Sequence, residues 1–244
     1  MKNYEDMLKK YRDHDIDINS DDAKLYRYEK GDGSFDYELY KAAQTNVNLR
    51  KVHSAAGTGP DQWKIKLISK HIKKNIPDLK FGLCHGTRQG SEQKDFNEFL
   101  GINVIGTEIS HTAADFPNTI QWDFHNAKDE WKENVCFIFS NSFDHSYDPI
   151  ACLQTWMSCV KSGGKIYLQR GPDDRPRAGT LKQNFGDSSI GIDNINQIPA
   201  DIFRSKDEVF SRIVDIAGLG KWQIAKPKEL MFKIDKRIIV LERR

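Results

Sequence analysis

The stretch Leu79-Lys80-Phe81-Gly82-Leu83-Cys84-His85-Gly86-Thr87-Arg88-Gln89-Gly90-Ser91-Glu92 decides the fold class. Leu79–Cys84 is a short apolar run of the kind that forms a buried strand. Gly86 and Gly90 allow a tight turn and a close backbone approach. Ser91–Leu100 then carries Phe96, Phe99 and Leu100 at helical spacing, and Gly101 stops the helix. Asn103–Ile109 reads as a second strand. Strand, glycine turn, helix and strand in that order make a βαβ unit.

The same rhythm continues downstream. Thr119–Phe124 reads as a third strand. Val135–Ser140 is a fourth, apolar enough to be buried on both faces. Asp148 is a good N-cap and Pro149 a good first helical residue for a helix bearing Ile150, Leu153, Trp156, Met157 and Val160. Gly163-Gly164 ends it, and Lys165–Gln169 is the fifth strand. Ser205-Lys206-Asp207-Glu208 matches a capping box, which predicts a helix carrying Val209, Phe210, Ile213, Val214 and Ala217 up to Gly218. Trp222–Ala225 and Met231–Leu241 read as two closing strands, paired as an antiparallel hairpin at one sheet edge. Alternating strands and helices predict an α/β fold, a mainly parallel sheet with helices on both faces. Ligands of such sheets bind beyond the carboxyl ends of the strands.

Upstream, Gly31-Asp32-Gly33-Ser34 is a turn signal and Phe35–Arg50 fits a helix with Phe35, Leu39, Ala42 and Ala43 on one side. Gly57-Thr58-Gly59-Pro60 is a second break. The helix after it has Trp63, Leu67, Ile68, His71 and Ile72 as its apolar stripe. Lys64, Lys66, Lys70, Lys73 and Lys74 fall mostly off that stripe and read as a solvated face. The chain thus divides into an N-terminal extension, 1–58, and a main domain, 59–244, with an insert at 171–202.

The 244 residues balance 37 Lys and Arg against 35 Asp and Glu, a net charge of +2. A dedicated nucleic-acid binder is basic, so a nucleic-acid partner is not expected. The longest apolar runs, Val135–Phe139 and Ile238–Leu241, are too short to span a bilayer, and the first residues lack a signal peptide's apolar core. A cytoplasmic protein without membrane contact is the expectation. Cys84, Cys136, Cys152 and Cys159 form no CxxC pair and no zinc-ligand spacing. They read as buried thiols in a reducing compartment, and no metal site is expected.

Four polar constellations follow predicted strands. In the first, Gly86, Thr87, Arg88 and Gly90 form a turn whose backbone, with the following helix start, suits an anionic group, and Arg88 adds a donor fork for a carboxylate. It is neither GxGxxG nor a P-loop, and a plain glycine turn reads the same residues. In the second, Glu108 ends a strand 22 residues after Gly86, the separation at which an acid accepts both hydroxyls of a ribose. A surface Glu at a strand tip is the plainer alternative. In the third, Asp123 and Phe124 can address the edge and face of a base, or form an Asx-turn beside a core Phe. The fourth is Ser140-Asn141-Ser142-Phe143-Asp144-His145-Ser146-Tyr147-Asp148-Pro149, a polar loop where His145 beside Asp144 can act as a general base or cap the next helix.

Taken together, residues 79–170 resemble the class I S-adenosylmethionine-dependent methyltransferases, small-molecule and sugar enzymes above all. The resemblance lies in Gly86–Gly90, Glu108, Asp123-Phe124-His125, the loop Ser140–His145, and Val160-Lys161-Ser162-Gly163-Gly164. It implies a Rossmann-like three-layer sandwich whose seven-stranded sheet has order 3-2-1-4-5-7-6 and an antiparallel strand 7. It also implies S-adenosylmethionine as cofactor. By position, Gly86 would approach its methionine part, Asn141 would lie near the sulfonium, and Arg88 would meet the methionine carboxylate, with Thr87, Gly90 and Ser142 as further cofactor-binding candidates. Glu108 would hold the ribose, Ile109 would flank the adenine, and Asp123 and Phe124 would contact its edge. Cys84 stands where the family has an acidic residue, and Arg88 where it has a glycine.

The reaction so implied is in-line methyl transfer to a nucleophile, with His145 and Asp144 as the catalytic candidates. The polar insert, with Asp173-Asp174-Arg175-Pro176-Arg177, points to a sugar, glycan or other small hydroxylated acceptor; Asp173-Asp174 could instead help hold a divalent metal, and a solvated loop is the plainer reading. Alternatives are an RNA or protein methyltransferase, or a non-catalytic binding module with the same fold. A nicotinamide-dependent oxidoreductase is disfavoured by the missing GxGxxG.

Overall fold

The computed structural model describes residues 30–52, 62–169, 209–215, 223–225, 230–232 and 237–244. Helix α1 spans Tyr37–Lys51 and α2 Gln62–Asn75. The alternating core follows as β1 (Phe81–His85), α3 (Ser91–Leu100), β2 (Asn103–Glu108), β3 (Thr119–Gln121), β4 (Val135–Ser140), α4 (Pro149–Cys159) and β5 (Val160–Gln169). Four further strands are β6 (Val209–Asp215), β7 (Gln223–Ala225), β8 (Leu230–Phe232) and β9 (Arg237–Arg243).

Seven strands form one sheet in the order β3-β2-β1-β4-β5-β9-β6. Pairing is parallel from β3 to β5, and β9 runs antiparallel to both β5 and β6. Counted within this sheet, β6 is the sixth strand and β9 the seventh, which gives the expected order 3-2-1-4-5-7-6.

Side chains alternate across each strand, so neighbours enter opposite layers. Leu83, Ile138, Ile166, Leu168, Ile239 and Leu241 face one layer with Leu153, Trp156 and Met157 of α4. Cys84, Phe137, Phe139, Tyr167, Ile238 and Val240 face the other, against Ile65, Ile68 and Ile72 of α2 and Phe96 of α3. This is a three-layer sandwich. Its α4 starts as read: Asp148 accepts from the Ala151 amide and Pro149 fills the first turn.

Three expectations are corrected. The capping-box helix is instead the strand β6, which pairs with β9 along its whole length, from Val209 opposite Arg243 to Asp215 opposite Arg237. Val-Phe-Ser-Arg-Ile-Val is rich in β-branched and aromatic residues, and a long pairing partner decides between two periodicities that a short run satisfies equally. The closing strands also differ. Residues 222–241 give β7, β8 and β9; β7 and β8 pair only with each other, and β6 is the edge partner of β9. In α2 the buried stripe is Ile65, Ile68, Ser69 and Ile72, while Trp63, Leu67 and His71 are half-buried. Lys66, Lys70, Lys73 and Lys74 are exposed, as a solvated face requires. The insert 171–202 lies outside the described residues, as does most of the extension apart from 30–52.

No helix among the described residues is long and apolar enough to cross a membrane.

Candidate active site

The sheet reverses its strand order at β1, with β2 on one side and β4 on the other, so the loops after β1 and β4 diverge into opposite layers. A crevice at such a switch point is where an open α/β sheet binds its ligand. Gly86 follows β1 with φ +74°, and Ser142 follows β4. A Cβ on Gly86 would lie 2.6 Å from the Ser142 Cβ, so only glycine lets the two loops meet. The Ser142 hydroxyl sits 3.0 Å from both the Gly86 carbonyl and the Asn141 side-chain oxygen, and donates its one proton between them.

The turn runs through Thr87 and Arg88 to Gly90. The Gly86 and Thr87 amides donate to the Thr107 carbonyl, at 2.9 and 3.1 Å, which ties the turn to β2. Arg88 keeps φ at +44°, a left-handed conformation that non-glycine residues seldom adopt. The turn therefore keeps the backbone shape a glycine would give at this point and adds a guanidinium. Gly90, at φ +73°, leads into α3 without a side-chain cap. Among the described residues the buried Thr87 hydroxyl has no hydrogen-bond partner.

Glu108 ends β2 and is only 3% exposed. Its Oε1 accepts from the Ser110 amide at 2.9 Å and from Asn48 Nδ2 at 2.6 Å, and its Oε2 accepts from the Arg88 amide at 3.1 Å. Burial lifts its pKa, and these three donors only partly offset that. Asn48 in turn accepts from Arg88 Nε at 3.1 Å. Ile109, next in sequence, is half-buried and packs with Tyr40 and Ala43 of α1.

After β3, Asp123 Oδ1 accepts from the His125 amide at 2.9 Å and meets His125 Nδ1 at 2.7 Å. This is the Asx-turn alternative of the sequence reading. Phe124 is a core residue: its ring packs in the layer beside Trp156, and its carbonyl accepts from the Trp156 indole at 2.7 Å. Burial raises the Asp123 pKa, but its bonds to His125 outweigh that and hold it below the usual carboxylate value. Its Oδ2 is buried and, among the described residues, has no well-formed hydrogen bond, although the Tyr37 phenol lies near it. His125 Nε2 meets the Ser146 hydroxyl at 2.8 Å. Asp123, His125 and Ser146 have the connectivity of a nucleophile triad, but Ser146 is fully buried and no substrate can reach it. Both imidazole nitrogens are committed within the chain, so this array fixes loops. It also positions Tyr147, which stacks on His125 with ring centres 3.6 Å apart.

His145 lies on a short turn, Phe143–His145, after β4. Its carbonyl accepts from the Tyr40 hydroxyl at 3.2 Å, and its Nδ1 is buried. The residue as a whole is half-buried, on the same strand-end loop as Asn141 and Ser142. Asp144 lies on the same turn, and its side chain is outside what the structure describes, so no pairing with His145 can be read.

Helix α1 therefore crosses the carboxyl ends of β1 to β4. Asn48 reaches Glu108 and Arg88, Ala43 and Tyr40 reach Ile109, Tyr40 reaches the β4 loop, and Tyr37 reaches Asp123. Phe35, Tyr37 and Tyr40 add to Tyr147, with ring centres 4.6, 6.3 and 4.8 Å from it. Sequence reasoning missed Asn48, Tyr37, Tyr40 and Tyr147. One signal was present: Tyr37, Tyr40, Gln44 and Asn48 repeat at helical spacing and give α1 a polar and aromatic face. Among the described residues no group of three His, Cys, Asp or Glu can hold a metal ion, and Asp173-Asp174 lie outside them.

Comparison with solved structures finds this architecture repeatedly. The plantazolicin methyltransferase BpumL, in complex with a pentazolic desmethylPZN analog and SAH, superposes with a TM-score of 0.59 at 13% identity, over 85% of this chain and 98% of its own. The fold is that of the class I methyltransferases. Geranyl diphosphate C-methyltransferase from Streptomyces coelicolor A3(2), with Mg2+, geranyl diphosphate and S-adenosyl-L-homocysteine, gives a TM-score of 0.57 at 11% identity over 84% and 98%. Burkholderia thailandensis 1,6-didemethyltoxoflavin-N1-methyltransferase, with its named substrate and S-adenosylhomocysteine, gives 0.55 at 10% identity over 86% and 91%. No family model matches the sequence, and no curated protein matches it. In class I methyltransferase terms, Gly86, Glu108, Asp123 and Ser142 stand on four successive strand-end loops of the shared sheet.

Proposed function

We propose that the chain is an S-adenosylmethionine-dependent methyltransferase that O-methylates a sugar, glycan or other small hydroxylated acceptor. The observation that carries the cofactor reading is the row of acceptors along the strand ends. A buried carboxylate at the β2 tip, a buried carboxylate oxygen without a well-formed bond at the β3 tip, and a glycine cradle between β1 and β4 match a ribose, an adenine amine and a methionine tail in that order. When bound, this cofactor supplies a methyl group already activated by a sulfonium.

Glu108 would accept from the ribose hydroxyls and Asp123 Oδ2 from the adenine amine, with Ile109 against the ring. Phe124, whose ring is buried in the core, would meet that subsite only through its backbone amide. Gly86, Thr87, Gly90, Asn141 and Ser142 would line the methionine tail, and Arg88 would meet its carboxylate. These contacts hold the donor, and alignment with the acceptor oxygen is the main contribution of the protein. His145 would take the proton released by the acceptor hydroxyl, at Nε2, since Nδ1 is buried. Residues 1–58 and the insert 171–202 would shape the acceptor side. The four buried thiols favour a cytoplasmic setting.

A second reading of the acceptor has its own observation. Four aromatic rings from α1 and the β4 loop, Phe35, Tyr37, Tyr40 and Tyr147, gather beside the site. Stacking on such rings suits a planar acceptor as well as the faces of a sugar.

Calorimetric titration with S-adenosylhomocysteine tests the cofactor. Saturable one-to-one binding supports the reading, and no binding to protein of native fold removes it. Mass spectrometry of products from sugar and planar acceptors then separates the two acceptor classes by which one gains a methyl.

A further inference from the structure

Glu108 is already occupied from within the chain. A carboxylate offers about four lone-pair positions. Among the described residues three of them are taken, by the Ser110 amide, the Arg88 amide and the Asn48 side-chain amide. A ribose diol brings two donors to the same carboxylate, and one remaining position cannot serve both. One present donor must leave.

Two of the three cannot leave easily. Ser110 and Arg88 use backbone amides fixed by the loops after β2 and β1, and Arg88 sits in a turn held by the Thr107 carbonyl. Asn48 is the only side-chain donor. It belongs to α1, which also meets the strand-end loops through Tyr40 on the His145 carbonyl, Tyr37 on Asp123, the packing of Tyr40 and Ala43 on Ile109, and the Val52 carbonyl, just past α1, accepting from Gln89. It is also the shortest of the three bonds, at 2.6 Å.

We propose that Asn48 is an internal stand-in for the cofactor ribose, an autoinhibitory contact through which α1 holds the site closed and must withdraw for the nucleoside to bind. The inference rests on the reading of Glu108 as the ribose carboxylate. It has a second consequence at the same atoms. Asn48 Oδ1 accepts from Arg88 Nε, so withdrawal of Asn48 releases Arg88 Nε at the moment a methionine carboxylate needs a partner. One displacement opens both ends of the cofactor site.

The test compares wild type, Asn48→Ala and Asn48→Asp by titration with S-adenosylhomocysteine, with hydrogen exchange of residues 37–51 followed alongside. Removing the internal competitor should tighten binding by about tenfold in Asn48→Ala, the worth of one hydrogen bond to a charged group. Asn48→Asp, which sets a like charge against Glu108 but keeps an acceptor for Arg88, should raise exchange in α1 without ligand and tighten binding less than Asn48→Ala. In wild type, ligand should raise exchange across 37–51. If Asn48→Ala binds more weakly than wild type or equally, or if ligand protects α1, Asn48 is a cofactor contact or a bystander, and the stand-in role is overturned while the cofactor reading stands. If neither wild type nor either variant binds, the cofactor reading itself fails and the stand-in role falls with it.

Discussion

The Gly86 carbonyl and the Ser142 hydroxyl lie 3.0 Å apart and join the loops of β1 and β4 across the point where the sheet reverses. At φ +74° a side chain on Gly86 is strained before any neighbour is counted, and its Cβ would also meet Ser142 at 2.6 Å. Gly86→Ala should cost about 1–3 kcal/mol in stability by thermal or denaturant unfolding. It should also abolish binding of S-adenosylhomocysteine. Adding Ser142→Gly removes the steric part only, so the double variant should recover some stability.

Glu92 begins α3 and is 3% exposed, close enough to Cys84 for its charge to act on the thiol. Burial pushes its pKa up to about 7 from an ordinary 4.5. A raised carboxyl pKa means the fold prefers the protonated form. The stability this provides is complete below pH 4.5 and is lost as pH rises to about 7. Glu92→Gln should therefore be more stable than wild type at pH 8, by about 2–3 kcal/mol. The advantage should vanish near pH 4.5, as read from urea midpoints across pH.

His85 has the opposite sign. It is buried at the end of β1, with Nδ1 2.8 Å from the Thr107 hydroxyl and its ring 4.7 Å from Trp156. Burial above all, and the neighbouring His125, lower its pKa from 6.5 to about 3. Its contribution is complete above pH 6.5 and is lost as pH falls toward about 3. The double change His85→Phe with Thr107→Val should flatten the acid side of the stability profile, by up to about 1.4 kcal/mol per pH unit.

Lys165 on β5 is 4% exposed and pairs with Glu242 of β9 at 2.9 Å, directly across the antiparallel register. The partners differ in what their loss leaves behind. Glu242→Gln strands a buried ammonium and should cost about 2–4 kcal/mol. Lys165→Met leaves a carboxylate that water can reach, and should cost less than half as much in the same unfolding measurement.

His145→Ala should abolish turnover with an oxygen acceptor while leaving affinity for S-adenosylhomocysteine unchanged. His125→Ala should act differently. Both its nitrogens are bonded to Asp123 and Ser146, so it should lower thermal stability and weaken binding through Asp123. Equal turnover in wild type and His145→Ala would remove His145 as the base.

What the sequence made legible follows from how local each signal is. β4 and α4 match their readings because an unbroken apolar run and an Asp-Pro start are decided within a few residues. The strand order came from the resemblance, and the pairing register supports it. Residues 209–215 form a strand where the capping box predicts a helix, because helix and strand periods coincide over so short a run and the distant β9 settles the choice. The site divides in the same way. Glu108 stands out by its spacing from Gly86 along the chain, whereas Asn48, which donates to it, lies 60 residues away, and no local pattern records that. Phe124 follows a strand tip and reads equally as a base contact or a core ring; its ring packs in the core beside Trp156, on another element, which no local pattern records.

All four cysteines of the chain are buried, and burial raises the pKa of Cys84, Cys152 and Cys159. Thiol reagents act on exposed thiolates, so the native surface is silent toward them. A single cysteine placed at the exposed Glu38 would then be the sole addressable thiol in the molecule. A fluorophore or spin label there would follow the movement of α1 in real time, with no background to engineer away.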